Sequence, residues 1–184
     1  MGTRGVYGFR LNGKDKTTYN HSDSYPEYLG RNIIEFIRST SSEEMKSIFN
    51  RIELIDKNKK PTKEEIAKCQ EWSDFSVSSR SENDWYCLLR SAQGDLFAYK
   101  QGLFYMSDDS SFIEDSLFCE WGYIINLDTD MLEIWQGFQH YPDLNNRYGQ
   151  EAQDEYYPCK MIGEFPLNAI DEWEEFVQTG MEEE

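Results

Sequence analysis

Residues 4–20 read RGVYGFRLNGKDKTTYN, and the Asn12-Gly13 pair at their centre decides how the chain begins. A type I′ turn needs positive φ at both central residues, and Asn-Gly meets that demand most readily. Before the pair, Val6, Tyr7 and Phe9 sit in a run of strand formers. After it, residues 14–20 are polar and Thr-rich. The stretch predicts a hairpin whose second arm is an edge strand or is solvated on one face.

Working outward, Pro26 suits the first turn of a helix, and Tyr28, Leu29, Ile33, Ile34 and Ile37 recur at helical spacing to about Arg38. Ser41 with Glu44 reads as a capping box ahead of Met45, Ile48, Phe49 and Ile52. Thr62 with Glu65 reads as another ahead of Ile66, Cys69 and Trp72. Ser81 predicts the cap of a fourth helix through Trp85, Leu88, Leu89, Ala92, Leu96 and Tyr99, with Gly94 as a kink inside it and Gly102 at its end. Residues 117–127 and 131–138 flank Asp128-Thr129-Asp130 and predict a central hairpin. Trp121, Tyr123 and Ile125 share one of its faces and Ile124 occupies the other, so helices are expected on both. Residues 139–157 form a connection longer than a turn requires, hence flexible or functional. Residues 159–165 read as a last strand broken by Pro166. Ile170, Trp173, Phe176 and Val177 then predict a final amphipathic helix, with 178–184 a frayed acidic tail. The expected fold is α+β: one domain over 1–184, with a mostly antiparallel sheet of about five strands and about five helices against it.

Composition narrows the function classes. Aromatic residues make up 15% of the 184, far too many for a disordered chain. The net charge of −17 is regional: residues 101–184 hold 20 acids against two bases, Arg147 and Lys160, whereas residues 1–100 are near balance. Such a field repels phosphate backbones and draws in basic partners, so direct nucleic-acid binding is not expected. The four cysteines are scattered without C-x-x-C or clustered His, so neither a metal site nor a disulfide framework is signalled. There is no apolar leader, no membrane span and no lipidation signal, which predicts a cytoplasmic protein. P-loop, dinucleotide, H-E-x-x-H and G-x-S-x-G motifs are absent, and no cofactor is expected.

The densest polar cluster, residues 19–25, lies where a strand ends and a helix begins. Tyr19, His21, Asp23 and Tyr25, with Arg4 in reach, form a candidate ligand site, although the same side chains can equally build an Asx-type turn and helix cap. Thr3 invites comparison with N-terminal nucleophiles, but it does not stand first in the chain. Cys119 with His140 is a weaker thiol pair, because Cys119 sits in a strand pattern. The acidic half suggests a different surface. Asp143, Glu151, Asp154, Glu155 and Tyr156, then Asp171, Glu172, Trp173, Glu174 and Glu175, combine carboxylates with interface-type aromatics.

Residues 3–9 (TRGVYGF), residues 19–26 (YNHSDSYP) and Leu29-Gly30, together with Gln93-Gly94-Asp95-Leu96 and residues 120–137, resemble a family of small, uncharacterised bacterial and phage proteins over most of the chain. The resemblance implies no activity. Its phage setting implies host cytoplasm and adds to the expectation drawn from charge: an acidic interaction module that inhibits a host defence protein by mimicking phosphate or covering the basic groove of a nucleic-acid-handling partner. The alternative expectation is a small-ligand or nucleotide-binding protein, or a hydrolase, with its site around residues 19–25.

Overall fold

A computed structural model describes residues 2–77, 81–173 and 177. The opening hairpin forms as expected: β1 (Gly5–Leu11) and β2 (Lys14–Asn20) pair antiparallel, with Leu11 opposite Lys14. Asn12 at φ 53° and Gly13 at φ 71° supply the two left-handed residues that the tight turn demands. The Asp128 carboxylate accepts hydrogen bonds from the backbone N–H groups of Asn12 (2.7 Å) and Gly13 (2.9 Å), tying this turn to the central one.

The fold is α+β. Its main sheet runs in the order β2-β1-β5-β6-β7, where β5 is Trp121–Asn126, β6 Met131–Gln136 and β7 Lys160–Pro166. All neighbours are antiparallel except β1 and β5, which are parallel from Gly5↔Trp121 to Arg10↔Asn126. A parallel pair needs a long crossover, and the helical residues between β2 and β5 provide it. Pro166 does not stand beyond the last strand but ends it, opposite Met131.

Helices cover one face of the sheet. A π-helical turn at Pro26–Gly30 leads into α1 (Arg31–Arg38), and α2 (Ser42–Arg51) starts at Ser41, whose side chain accepts from the Glu44 N–H. In α3 (Lys63–Cys69) both halves of the Thr62/Glu65 capping box are present. Two lysines satisfy the carbonyls that helix ends leave free: Lys100 Nζ donates to Ser39 O, and Lys16 Nζ donates to Phe49 O and Ile52 O. Tyr7, Phe9, Tyr123, Ile125, Leu132 and Ile134 point from the sheet into this core, where the Phe9 and Phe36 rings meet edge to face at 5.9 Å.

The expected fourth helix is instead three short pieces. α4 (Trp85–Leu88) is capped by Asp84 and not by Ser81, a 3-10 turn covers Arg90–Ala92, and α5 is Phe97–Lys100. Gly94 at φ 80° breaks the helix outright, because that backbone conformation cannot sit inside one. Two three-residue strands, β3 (Glu53–Ile55) and β4 (Tyr105–Ser107), pair in parallel beside the main sheet.

The second face of the sheet carries no helix layer of the kind expected. Val6, Ile124 and Trp135 there meet Ile113, Cys119 and Cys159, from the 3-10 turn Phe112–Glu114 and from the two ends of the connections around it. The long connection 139–159 folds back over this face, held by charge. Glu133, 2% exposed, accepts two hydrogen bonds from Arg147 (2.8 and 2.6 Å), one from Asn126 and one from the Trp135 indole. The chain continues from Arg147 to the Tyr148 hydroxyl, which donates to Asp15, itself paired with Arg10. Of the final helix, Phe176, Glu174, Glu175 and the tail 178–184 lie outside the described residues.

Candidate functional site

A cavity of about 590 Å³ opens where β1, β2, α4, α5 and the segment after β4 meet. Each wall follows from local sequence. β1 contributes Tyr7 because odd-numbered positions of that strand face the helices. β2 contributes Thr18 and Tyr19 at the sheet edge, and the broken helix contributes Trp85 from α4 and Tyr99 from α5. Had residues 85–99 formed one helix, Trp85 and Tyr99 would lie on it almost four turns apart. The break at Gly94 brings both to one concavity.

The polar groups are arranged with care. The Tyr7 hydroxyl donates to Ala92 O (3.2 Å) and accepts from the Gly94 N–H (2.7 Å), so it holds the turn that interrupts the helix. Burial pushes its phenol well above the ordinary tyrosine range. Asp109, 7% exposed, accepts from Thr18 Oγ1, the Tyr19 N–H and, at 2.7 Å, from Lys57 Nζ. Tyr99, 3% exposed, lines the cavity, and its hydroxyl has no hydrogen-bond partner among the described residues. Burial, with Tyr7 and Asp109 adding to it, raises the Tyr99 phenol well above its usual range. The Tyr19 phenol is raised by burial, lowered by Arg4, and raised again by Tyr86 and Asp109.

Of the five residues expected to form a ligand site, Tyr19 and His21 line the cavity, joined by a 2.8 Å hydrogen bond between the Tyr19 hydroxyl and His21 Nδ1. The other three do not line it. Arg4 lays its guanidinium over the Phe118 ring, 5.4 Å from the centroid. Asp23 is exposed at φ 57° and accepts the Leu29 N–H with its carbonyl. Tyr25 is an exposed residue preceding the π-helical turn. The segment thus divides into a cavity wall at 19–21 and a turn at 22–25.

Neither Thr3 nor the Cys119–His140 pair assembles a nucleophile. Thr3 is buried, with its carbonyl bonded to the Ser24 N–H. Cys119 is fully buried, its thiol raised well above the usual range by burial and by Cys159, while the His140 ring lies tilted against Tyr156 with centroids 4.7 Å apart. Among the described residues no group of acids, Cys and His could hold a metal, and no helix is long and apolar enough to cross a membrane.

The acidic set is also divided. Glu151, Asp154 and Glu155 are exposed and Asp143 half-buried on the 139–159 connection, and none of the four has an ion-pair partner among the described residues. Tyr141 on the same connection is 84% exposed, whereas Tyr156 is half-buried against Phe138 and His140. Glu172 is exposed, and Asp171 is exposed but neutralised by Arg38 at 2.6 Å. Trp173 is a correction: at 2% exposed it is no interface residue, because it packs edge-on against Tyr123 and Phe165 in the main core. Glu174 and Glu175 lie outside the described residues.

Sequence reasoning missed Tyr7, Lys57, Trp85, Tyr99 and Asp109. Their strand and helix periodicity marks Tyr7, Trp85 and Tyr99 as core positions and not as site residues. The one available signal for Asp109 was the acidic, serine-rich run 108–111. Compared with protein-family models, curated proteins and solved structures, the chain matches none.

Proposed function

We propose that this protein binds a small organic molecule in the cavity between the β1–β2 hairpin and the broken helix 85–100. The observation that carries the reading is the convergence on one concave site of aromatic walls and a few fixed polar groups drawn from distant parts of the chain, the usual make-up of ligand pockets. A volume of about 590 Å³ suits a molecule of one or two rings. The activity proposed is binding, because the polar groups of the wall, Tyr7, Tyr19, His21 and Asp109, are fixed in place by hydrogen bonds to one another and to the backbone. The test is a panel of ring-bearing fragments followed by ligand-observed NMR against the native chain and Leu89→Trp, which puts an indole into the cavity from its half-buried lining position. Hits that vanish in the variant are expected. A panel with no Leu89-dependent hit removes the reading.

The connection 139–159 favours a second reading, that of an acidic surface docking a basic protein. Its support is the set Glu151, Asp154 and Glu155, without ion-pair partners among the described residues, on the connection that also carries the exposed Tyr141 and is pinned at Arg147. Charge reversal at the three carboxylates should weaken salt-sensitive binding to a lysine-rich peptide in calorimetry. Unchanged binding excludes this surface.

A further inference from the structure

We infer that the ligand of the cavity is an organic cation, a ring-bearing amine whose ammonium group takes the place of Lys57 on Asp109. The inference rests on the pocket reading above and adds the charge class of the ligand. Asp109 is 7% exposed and fixed in orientation by Thr18 Oγ1 and the Tyr19 N–H, so its carboxylate is a built feature of the wall. The cation it holds belongs to a side chain 60% exposed, at the end of a flexible four-carbon stem. Lys57 therefore acts as a tethered ammonium that can swing into solvent when a better-buried one arrives. Around the carboxylate stand the rings of Tyr7, Tyr19, Trp85, Tyr86 and Tyr99, which suit a ring by stacking and an ammonium by its attraction to π-faces. The hydroxyl of Tyr99, a residue 3% exposed, has no hydrogen-bond partner among the described residues and remains for a second polar atom of the guest.

Charge in the wall agrees. Asp109 is a buried charge of the wall, and its partner Lys57 is the exposed, movable member of the pair. Asp109 adds a negative potential inside the cavity: it raises the Tyr99 phenol further, after burial, the main cause, and Tyr7. An anionic guest would face that potential without a buried cation to meet it.

The experiment uses three probes that share one ring and differ in head group: 2-phenylethylamine, 2-phenylethanol and phenylacetate. Each is titrated by ligand-observed NMR into the full chain and into Lys57→Ala, Asp109→Asn and Leu89→Trp. The amine should bind most tightly, and Leu89→Trp should abolish its binding. Lys57→Ala should tighten the amine roughly five-fold by removing the internal competitor. It should also let the amine raise the melting temperature more than it does in the native chain. Asp109→Asn should erase the preference for the amine. Because Asp109 also fixes Thr18 and Tyr19, Lys57→Ala decides the matter if the Asn variant does not fold. Phenylacetate binding as well as the amine, weaker amine binding in Lys57→Ala, or amine binding that survives Leu89→Trp and so belongs to the acidic exterior, would each overturn the inference. Leu89-dependent binding of the alcohol or the carboxylate without amine preference defeats the cation inference and leaves the pocket standing. No Leu89-dependent binding by any probe counts against both.

Discussion

The two faces of the main sheet are closed by different physics. On one, Phe9, Tyr123, Ile125 and Ile134 meet the apolar stripes of α1 and α2, and the interaction is shape and area. On the other, a smaller apolar cluster around Val6, Ile124 and Trp135 lies under a connection without a helix, and Glu133, Arg147, Tyr148, Asp15 and Arg10 add charge and direction to area. An apolar face tolerates small losses, because its contacts are many and individually weak. A connection pinned over a small cluster by one buried carboxylate depends on each partner that carboxylate has.

The sharpest way to break the contrast is Arg147→Met. It leaves Glu133, at 2% exposure, with only neutral donors, and should cost about 3 kcal/mol, toward the lower end for a broken buried pair because Arg147 is partly exposed. Urea unfolding reads the loss, and limited proteolysis should show cleavage within 141–157 before global unfolding. Adding Glu133→Met should recover part of that loss, since only the neutral donors of Asn126 and Trp135 then lack an acceptor. On the helical face, Ile48→Val removes one buried methylene and should cost about 1 kcal/mol, with no new cleavage in the connection. Equal protease sensitivity in the two variants would erase the distinction between the faces.

The smallest effect concerns the clamp between the two turns. Hydrogen bonds from the Gly13 and Asn12 N–H groups hold the Asp128 carboxyl below its ordinary 3.8. A group depressed on folding adds stability above its unfolded pKa and loses it as pH falls through the folded value. The urea midpoints of the native chain and Asp128→Asn should therefore differ near neutrality and converge as pH falls below 3.8. A gap that stays constant through the acid range would show that charge plays no part in the clamp.

Local chemistry was legible wherever neighbours in sequence are neighbours in space. Asn12-Gly13, Thr62 with Glu65 and the 128–130 turn each carry their own geometry, and each element they define is present. Long-range pairing was not legible. Nothing near Gly5 indicates that Trp121 lies beside it in parallel, and β3 and β4 are three residues each, too short to leave a period. The helix pattern over 85–99 misled because Trp85, Leu88, Ala92 and Tyr99 are all buried, but against a backbone that Gly94 turns aside. The candidate site divides in the same way. Tyr19 and His21 stood out as a local polar cluster, whereas Asp109 and Tyr99 reach them from some eighty to ninety residues away, a distance no local reading spans.

The parallel pairing of β1 with β5 also bears on how a ribosome delivers this chain. The hairpin emerges early, yet the strand that seals its inner border emerges only after residue 121, about a hundred residues later. At some 5–20 residues per second, that border stays open for roughly 5–20 s of synthesis. Arg10 on β1 and Lys14 and Lys16 on β2 put positive charge on the nascent hairpin during that interval, and such charge is a common guard against premature strand-to-strand aggregation.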